Sequence, residues 1–115
     1  MTAIIRDKKG RVLSIGKNSY IKTHPLMLKY AQRIGHFNCK ETKIHAEIDA
    51  IAKCHELDKA YTIEIYRYSH YSQRYLMSKP CKICYSGILC TPIKYVKYFN
   101  ENSELVVEEV DRKKK

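Results

Sequence analysis

The sequence predicts a single three-layer α/β/α domain built on a mixed five-stranded sheet that ends in an antiparallel hairpin. Three observations carry this. Runs of β-forming residues occupy both ends of the chain, at 2–6 and 11–15 and again at 93–99 and 104–110. Between them two segments begin like helices, near His45 and near Cys81, and an alternating run at 61–68 separates the two. The last two runs are joined only by Asn100, Glu101, Asn102 and Ser103, too few for the crossover that parallel neighbours require, so this pair must be antiparallel.

In chain order, the first two runs flank Asp7, Lys8, Lys9 and Gly10, which reads as a hairpin turn. The second run leads into Gly16, Lys17, Asn18 and Ser19, again ordinary turn residues. From Thr23, His24 and Pro25 a helix is expected to about Ile34. Its stripe is Leu26, Met27, Tyr30, Ala31 and Ile34, Gly35 stops it, and His24 is a helix-start residue. Thr42 caps the next helix, expected over 43–57, with Ile44, Ile48 and Ile51 toward the core and Asp49 at the solvent. Small Ala46 and Ala50 would let this helix lie close to the sheet. The run at 61–68 alternates tyrosine and isoleucine with polar residues and reads as a strand. The stretch 69–79, containing His70, Tyr71, Arg74 and Tyr75, is a long approach to the second helix. It forms one lip of a pocket and contacts substrate, or it is a connection or an oligomer contact.

Chemistry concentrates in His45, Ala46 and Glu47, read together with Pro80, Cys81, Lys82, Ile83 and Cys84. A catalytic zinc takes three nitrogen or sulfur ligands and leaves its fourth corner to water, and His45, Cys81 and Cys84 supply that count. Cys81 and Cys84 are three apart, hence neighbours on a helical first turn, with Pro80 suited to the first helical position. His45 and Glu47 are two apart and cannot share a helix side, but first-turn side chains lean toward the N-terminus. Two helix N-termini are therefore expected to point at one metal ion. Two thiolates and a neutral imidazole cancel the zinc charge, so its water is acidified only modestly and needs a base nearby, which Glu47 would provide. A zinc-free helix end with an incidental CxxC is the alternative.

These residues resemble the H-x-E and P-C-x-x-C signature of the zinc-dependent cytidine deaminase-like superfamily (the CMP/dCMP deaminase type), a pattern in which the two half-motifs open two helices. The resemblance spans about 2–110 and is specific at the motifs. It implies a zinc-dependent hydrolase with His45, Cys81 and Cys84 as metal ligands and Glu47 as catalytic proton shuttle. The product would be uracil from a cytosine base, carried by a nucleoside or nucleotide such as cytidine or dCMP. Asn18, at the end of the second strand, takes the role of a sugar-binding asparagine. Asn18, Ala46, Arg74 and Tyr75 are the expected substrate-binding residues. Two departures bear on the substrate. Many members carry a helix before the first hairpin, where this chain starts with a strand, and few have a helix between Asn18 and His45. A terminal hairpin resembles free-cytidine and bacterial toxin deaminases, whereas His-Ala-Glu is commoner among deoxycytidylate and nucleic-acid enzymes.

Bulk properties bound the rest. The 115 residues suffice for one domain, expected over 1–111, followed by a basic tail at 112–115. No apolar run approaches a membrane span and no signal-peptide pattern opens the chain, so a cytoplasmic protein with no membrane partner is expected. Five cysteines fit a reducing compartment, and Cys39, Cys54 and Cys90 are expected as small buried apolar residues. The 22 basic against 12 acidic residues give a net charge of +10. The stretch 65–100 holds Arg67, Arg74, Lys79, Lys82, Lys94 and Lys97, no acid, and seven of the ten tyrosines. Such a mixture suits single-stranded nucleic acid, through phosphate attraction and base stacking, or is simply a basic surface over tyrosine-rich strands. A polynucleotide-directed deaminase and a non-catalytic zinc-containing nucleic-acid-binding module are thus the alternatives to a mononucleotide enzyme, and a metal-free CxxC redox protein is a third. A chain this short is expected to form a homo-oligomer to complete its pocket walls.

Overall fold

The computed structural model describes residues 1–18 and 45–110. The helix expected over 23–34, His24, Cys39, Thr42, Ile44 and the basic tail lie outside the described residues. Strand β1 (Thr2–Arg6) turns into β2 (Val12–Lys17), pairing Ile4 with Ile15. The turn works because Asp7 Oδ1 accepts the backbone N–H groups of Lys9 and Arg11, while Gly10 takes φ +87°, a conformation open to glycine at no steric cost. On its other side β1 pairs antiparallel with β3 (Thr62–Tyr66), which pairs parallel with β6 (Tyr95–Phe99). The final strand, β7 (Leu105–Glu109), is antiparallel to β6 across a turn whose Asn100 Oδ1 accepts from the N–H groups of Asn102 and Glu104. The order β2-β1-β3-β6-β7 is the mixed five-stranded sheet with a terminal antiparallel hairpin that the sequence predicts.

One face of this sheet presents Ala3, Ile5, Ile63, Ile65, Val96 and Tyr98, all buried. Helices α1 (Ala46–Lys53) and α2 (Lys82–Leu89) pack here, contributing Ile48, Ile51, Ile83 and Ile88 to the same core. Each such isoleucine, removed from water, contributes roughly 1.5–3 kcal/mol before entropy is charged against it. The small residues of α1 act as expected. A Cβ on Gly16 would strike the Ala46 carbonyl oxygen and the Ala50 nitrogen, so strand and helix backbones are in direct contact. Ser14 Oγ adds a hydrogen bond to the Ala50 carbonyl at 2.8 Å. On the opposite sheet face the register aligns Ile4, Glu64 and Lys97. Glu64 there accepts from Arg6 at 3.1 Å and from the Tyr66 hydroxyl at 2.9 Å, with Lys97 at 3.7 Å.

Several expectations change in detail. Helix α1 ends at Lys53 rather than near 57, because Cys54 is already extended and a short 3-10 turn (Leu57–Lys59) follows. Asp49 is buried, 9% exposed, instead of facing solvent, since its Oδ2 accepts the Lys17 N–H at 2.9 Å and pairs with Lys53. Cys90 is exposed and Cys54 half-buried. The run at 61–68 breaks at Arg67, and β4 (Tyr68–Ser69) pairs with β5 (Arg74–Tyr75) as a separate two-stranded ribbon. Among the described residues no helix is long and apolar enough to cross a membrane.

Candidate metal centre

Strand register decides where the chemistry assembles. Thr2 is level with Lys17 and with Tyr66, and Glu64 is level with Lys97, so β2, β3 and β6 all finish at one end of the sheet. Gly16 holds Ala46 at this end, and Ser78, four residues after β5 begins, bonds the Ile65 carbonyl and the Phe99 N–H there. Both helices therefore start at the same rim, as ligand sites of parallel strands commonly do.

The ligands sit at the helix caps. His45 (φ −93°, ψ 158°) is the N-cap of α1, and Cys81 (φ −71°, ψ 171°) is the N-cap of α2. Pro80 thus precedes the cap instead of occupying the first helical turn. Cys84 is the third residue of α2, and cap and third-position side chains are natural neighbours in front of a helix end. His45 Nδ1 lies 3.1 Å from Cys84 Sγ and 3.5 Å from Cys81 Sγ. The three donor atoms fall within 4.8 Å of one another, forming a group able to hold a metal ion. Both helix dipoles present their positive ends to it, an arrangement that favours thiolates.

Electrostatics within the group are coupled. The Cys81 thiol is pulled down to about 4, chiefly by the hydrogen bond that the Cys84 thiol donates to it and then by His45 and the Cys84 N–H, against the cost of burial. Cys84, fully buried, is pushed up by that same bond and by burial. A dication entering the group would favour the thiolate form of both cysteines.

Glu47, the second residue of α1, is 3% exposed. Burial raises its pKa, opposed by its own backbone N–H and by the Cys84 thiol. Its Oε1 is buried without a hydrogen-bond partner among the described residues. Such an orphaned carboxylate oxygen costs about 1–3 kcal/mol or more, which marks a group kept for a purpose other than packing.

The remaining predicted residues distribute as follows. Ala46 is buried beside His45 with its carbonyl against Gly16. Asn18 follows β2, half-buried, and its Oδ1 accepts from the Met1 amino group at 3.2 Å. Arg74 is exposed, and the Tyr75 ring stacks on Phe99 at 4.5 Å and 10° and also meets Tyr66 and Tyr68. A groove of about 620 Å³ lined by Lys79, Pro80, Lys82, Tyr85, Leu89 and Glu108 runs beside α2, but contains none of His45, Glu47, Cys81 and Cys84. Sequence reasoning missed Gly16, Ser14 and Asp49 as residues tying β2 to α1. The signal was present in Gly16 before Asn18 and in the Ala46, Ala50 spacing, which together announce a close backbone approach.

No protein-family model matches this chain, and no match was found among curated proteins or solved structures.

Proposed function

We propose that the protein is a zinc-dependent hydrolytic deaminase that converts a cytosine base to uracil, the base being carried by a nucleoside or nucleotide, free or within a strand. The observation that carries this reading is the buried Glu47 carboxylate, with one oxygen unpartnered among the described residues, two positions from His45 of a His–Cys–Cys donor group at two helix ends. The donors suit zinc. Tetrahedral zinc at its usual bond lengths separates nitrogen and sulfur ligands by about 3.6 Å, against 3.1 and 3.5 Å here. His45 Nδ1, Cys81 Sγ and Cys84 Sγ would hold it, the other His, Cys, Asp and Glu side chains among the described residues lying outside this group.

Zinc, when bound there, would supply Lewis-acid activation of the attacking water. Glu47 does the proton work. Its Oε1 accepts a proton from that water as oxygen adds to C4 of the ring, and the carboxyl then protonates N3. A second transfer takes the remaining water proton to the departing amine, so that water and cytosine give uracil and ammonia with all atoms balanced. Burial of Glu47 supports this role, because a desolvated carboxylate is a stronger base than one in water. In this reading Asn18, which follows the Lys17 whose N–H bonds Asp49, would bind a sugar hydroxyl.

The test is mass-spectrometric detection of deaminated product from cytidine, deoxycytidine, their monophosphates, adenosine and single-stranded DNA and RNA. Glu47→Gln is run in parallel. Conversion of cytosine by the native chain alone supports the assignment. Turnover that persists in Glu47→Gln, or a zinc-loaded protein inert on every cytosine substrate, refutes it.

A further inference from the structure

We infer that the exposed side of the β4–β5 ribbon docks single-stranded nucleic acid and delivers its bases to the metal centre at the same rim. For the fate of the base this rests on the deaminase reading; the docking itself does not. Placement comes from connectivity. The ribbon leaves β3 at Tyr66, and the chain returns through Ser78 to Pro80 and Cys81, so one excursion separates the central strand from two metal ligands.

The ribbon is anchored on its inner side. Tyr75 stacks on Phe99, Tyr68 meets Tyr75 edge-on at 5.2 Å, and His70 meets Tyr68 at 5.1 Å. Leu76 N–H donates to the Arg67 carbonyl at 2.7 Å, and Ser103 Oγ ties the Tyr75 carbonyl to the terminal hairpin at 2.7 Å. What this scaffold presents outward is unusual for a loop. Tyr71 at the tip is 101% exposed and Arg67 and Arg74 are exposed as well, whereas Tyr68, though 46% exposed, packs on the inner side with Tyr75. Gln73 closes the loop at φ +52°, a left-handed conformation that costs a non-glycine residue about 1–2 kcal/mol, so the tip is held in shape at an expense.

The open Tyr71 ring and the exposed Arg67 and Arg74 guanidinium groups match the two chemistries of a nucleic acid strand, base faces and phosphates. The ribbon itself contains no acid, and Glu101 and Glu104 lie in the terminal hairpin turn whose Ser103 bonds the Tyr75 carbonyl. Duplex does not fit, because its base faces are already stacked on one another.

Equilibrium binding of fluorescein-labelled 15-mers, single-stranded DNA and RNA and the corresponding duplex, followed by anisotropy at several salt concentrations, tests this with the full chain. Tyr71→Ala changes neither charge nor any packed contact and should weaken single-strand binding about 5-fold or more. Arg74→Ala should weaken it more than Lys8→Ala, an equal charge change at the turn on the opposite end of the sheet. Unchanged affinity in Tyr71→Ala, equal loss for Arg74→Ala and Lys8→Ala, or duplex binding as tight as single strand would overturn the inference. Conversion of mononucleotides without any oligonucleotide binding would overturn it too while leaving the deaminase reading intact. Tyr71-dependent oligonucleotide binding without conversion would support it and remove the deaminase reading instead.

Discussion

Replacing Gly16 by alanine probes the contact that sets the metal centre's geometry. An added Cβ would lie 2.8 Å from Ala50 Cα and still closer to the Ala46 oxygen and Ala50 nitrogen. Backbone atoms cannot rotate away as a side chain can, so α1 and β2 must separate. Restoring even the tight 3.4 Å limit at Ala50 Cα requires 3.4 − 2.8 = 0.6 Å, and the two closer contacts require more. Overpacking of this kind costs typically 1–3 kcal/mol, and here the upper half of that range is expected, about 2–3 kcal/mol. The displacement falls on the helix whose cap is His45 and whose second residue is Glu47, while Cys81 and Cys84 ride on α2. Ligands that move relative to one another bind metal less well, so zinc affinity should drop together with stability. Urea denaturation gives the first quantity and competition against a chromogenic chelator the second. A Gly16→Ala protein as stable as the native chain, with unchanged zinc affinity, would refute the claim that strand and helix backbones touch.

Other predictions concern the metal and its supports. The purified protein should carry about one equivalent of zinc by elemental analysis. Cys84→Ser should lose it, and stripping the native protein with a chelator should lower its melting temperature, by an amount corresponding to about 4 kcal/mol if free zinc had stood at a thousand times its dissociation constant. Ser78 is 2% exposed, its hydroxyl donating to the Ile65 carbonyl and accepting the Phe99 N–H just ahead of Pro80. Ser78→Ala leaves both partners buried and should cost about 2 kcal/mol in a denaturation experiment. Asp7 should make stability depend on acid. The Arg11 N–H first, then its side chain and the Lys9 N–H, hold the Asp7 carboxyl below its ordinary 3.8. Its contribution is therefore present above pH 3.8 and is lost as the pH falls through the lower folded value. Asp7→Asn should be less stable than the native chain at neutral pH, and the gap should shrink in acid; a gap that is the same at both pH values would contradict this.

Much of the molecule was legible in sequence because the signals were local. Alternation over 61–68 announces a strand, and four residues between 99 and 104 cannot cross a sheet, so the antiparallel ending followed from length alone. The donors were legible as well, since His45, Cys81 and Cys84 are residue types with few reasons to keep such company. The sequence also placed two helix starts at them, and side chains at a helix start project beyond its end. Other features depended on what stands opposite in space. Asp49 looks like a solvent-facing acid until β2 brings the Lys17 N–H to it, and Cys90 looks like a core residue until α2 ends beneath it. The break at Arg67 that makes β4 and β5 a separate ribbon is set by Tyr75 finding Phe99, residues 24 positions apart. Glu47 shows the division best: sequence named it as a base, but only tertiary packing decided that it is buried with one oxygen unpartnered among the described residues. Periodicity and spacing report on the chain's own geometry, whereas burial and hydrogen bonding report on neighbours that distant segments supply.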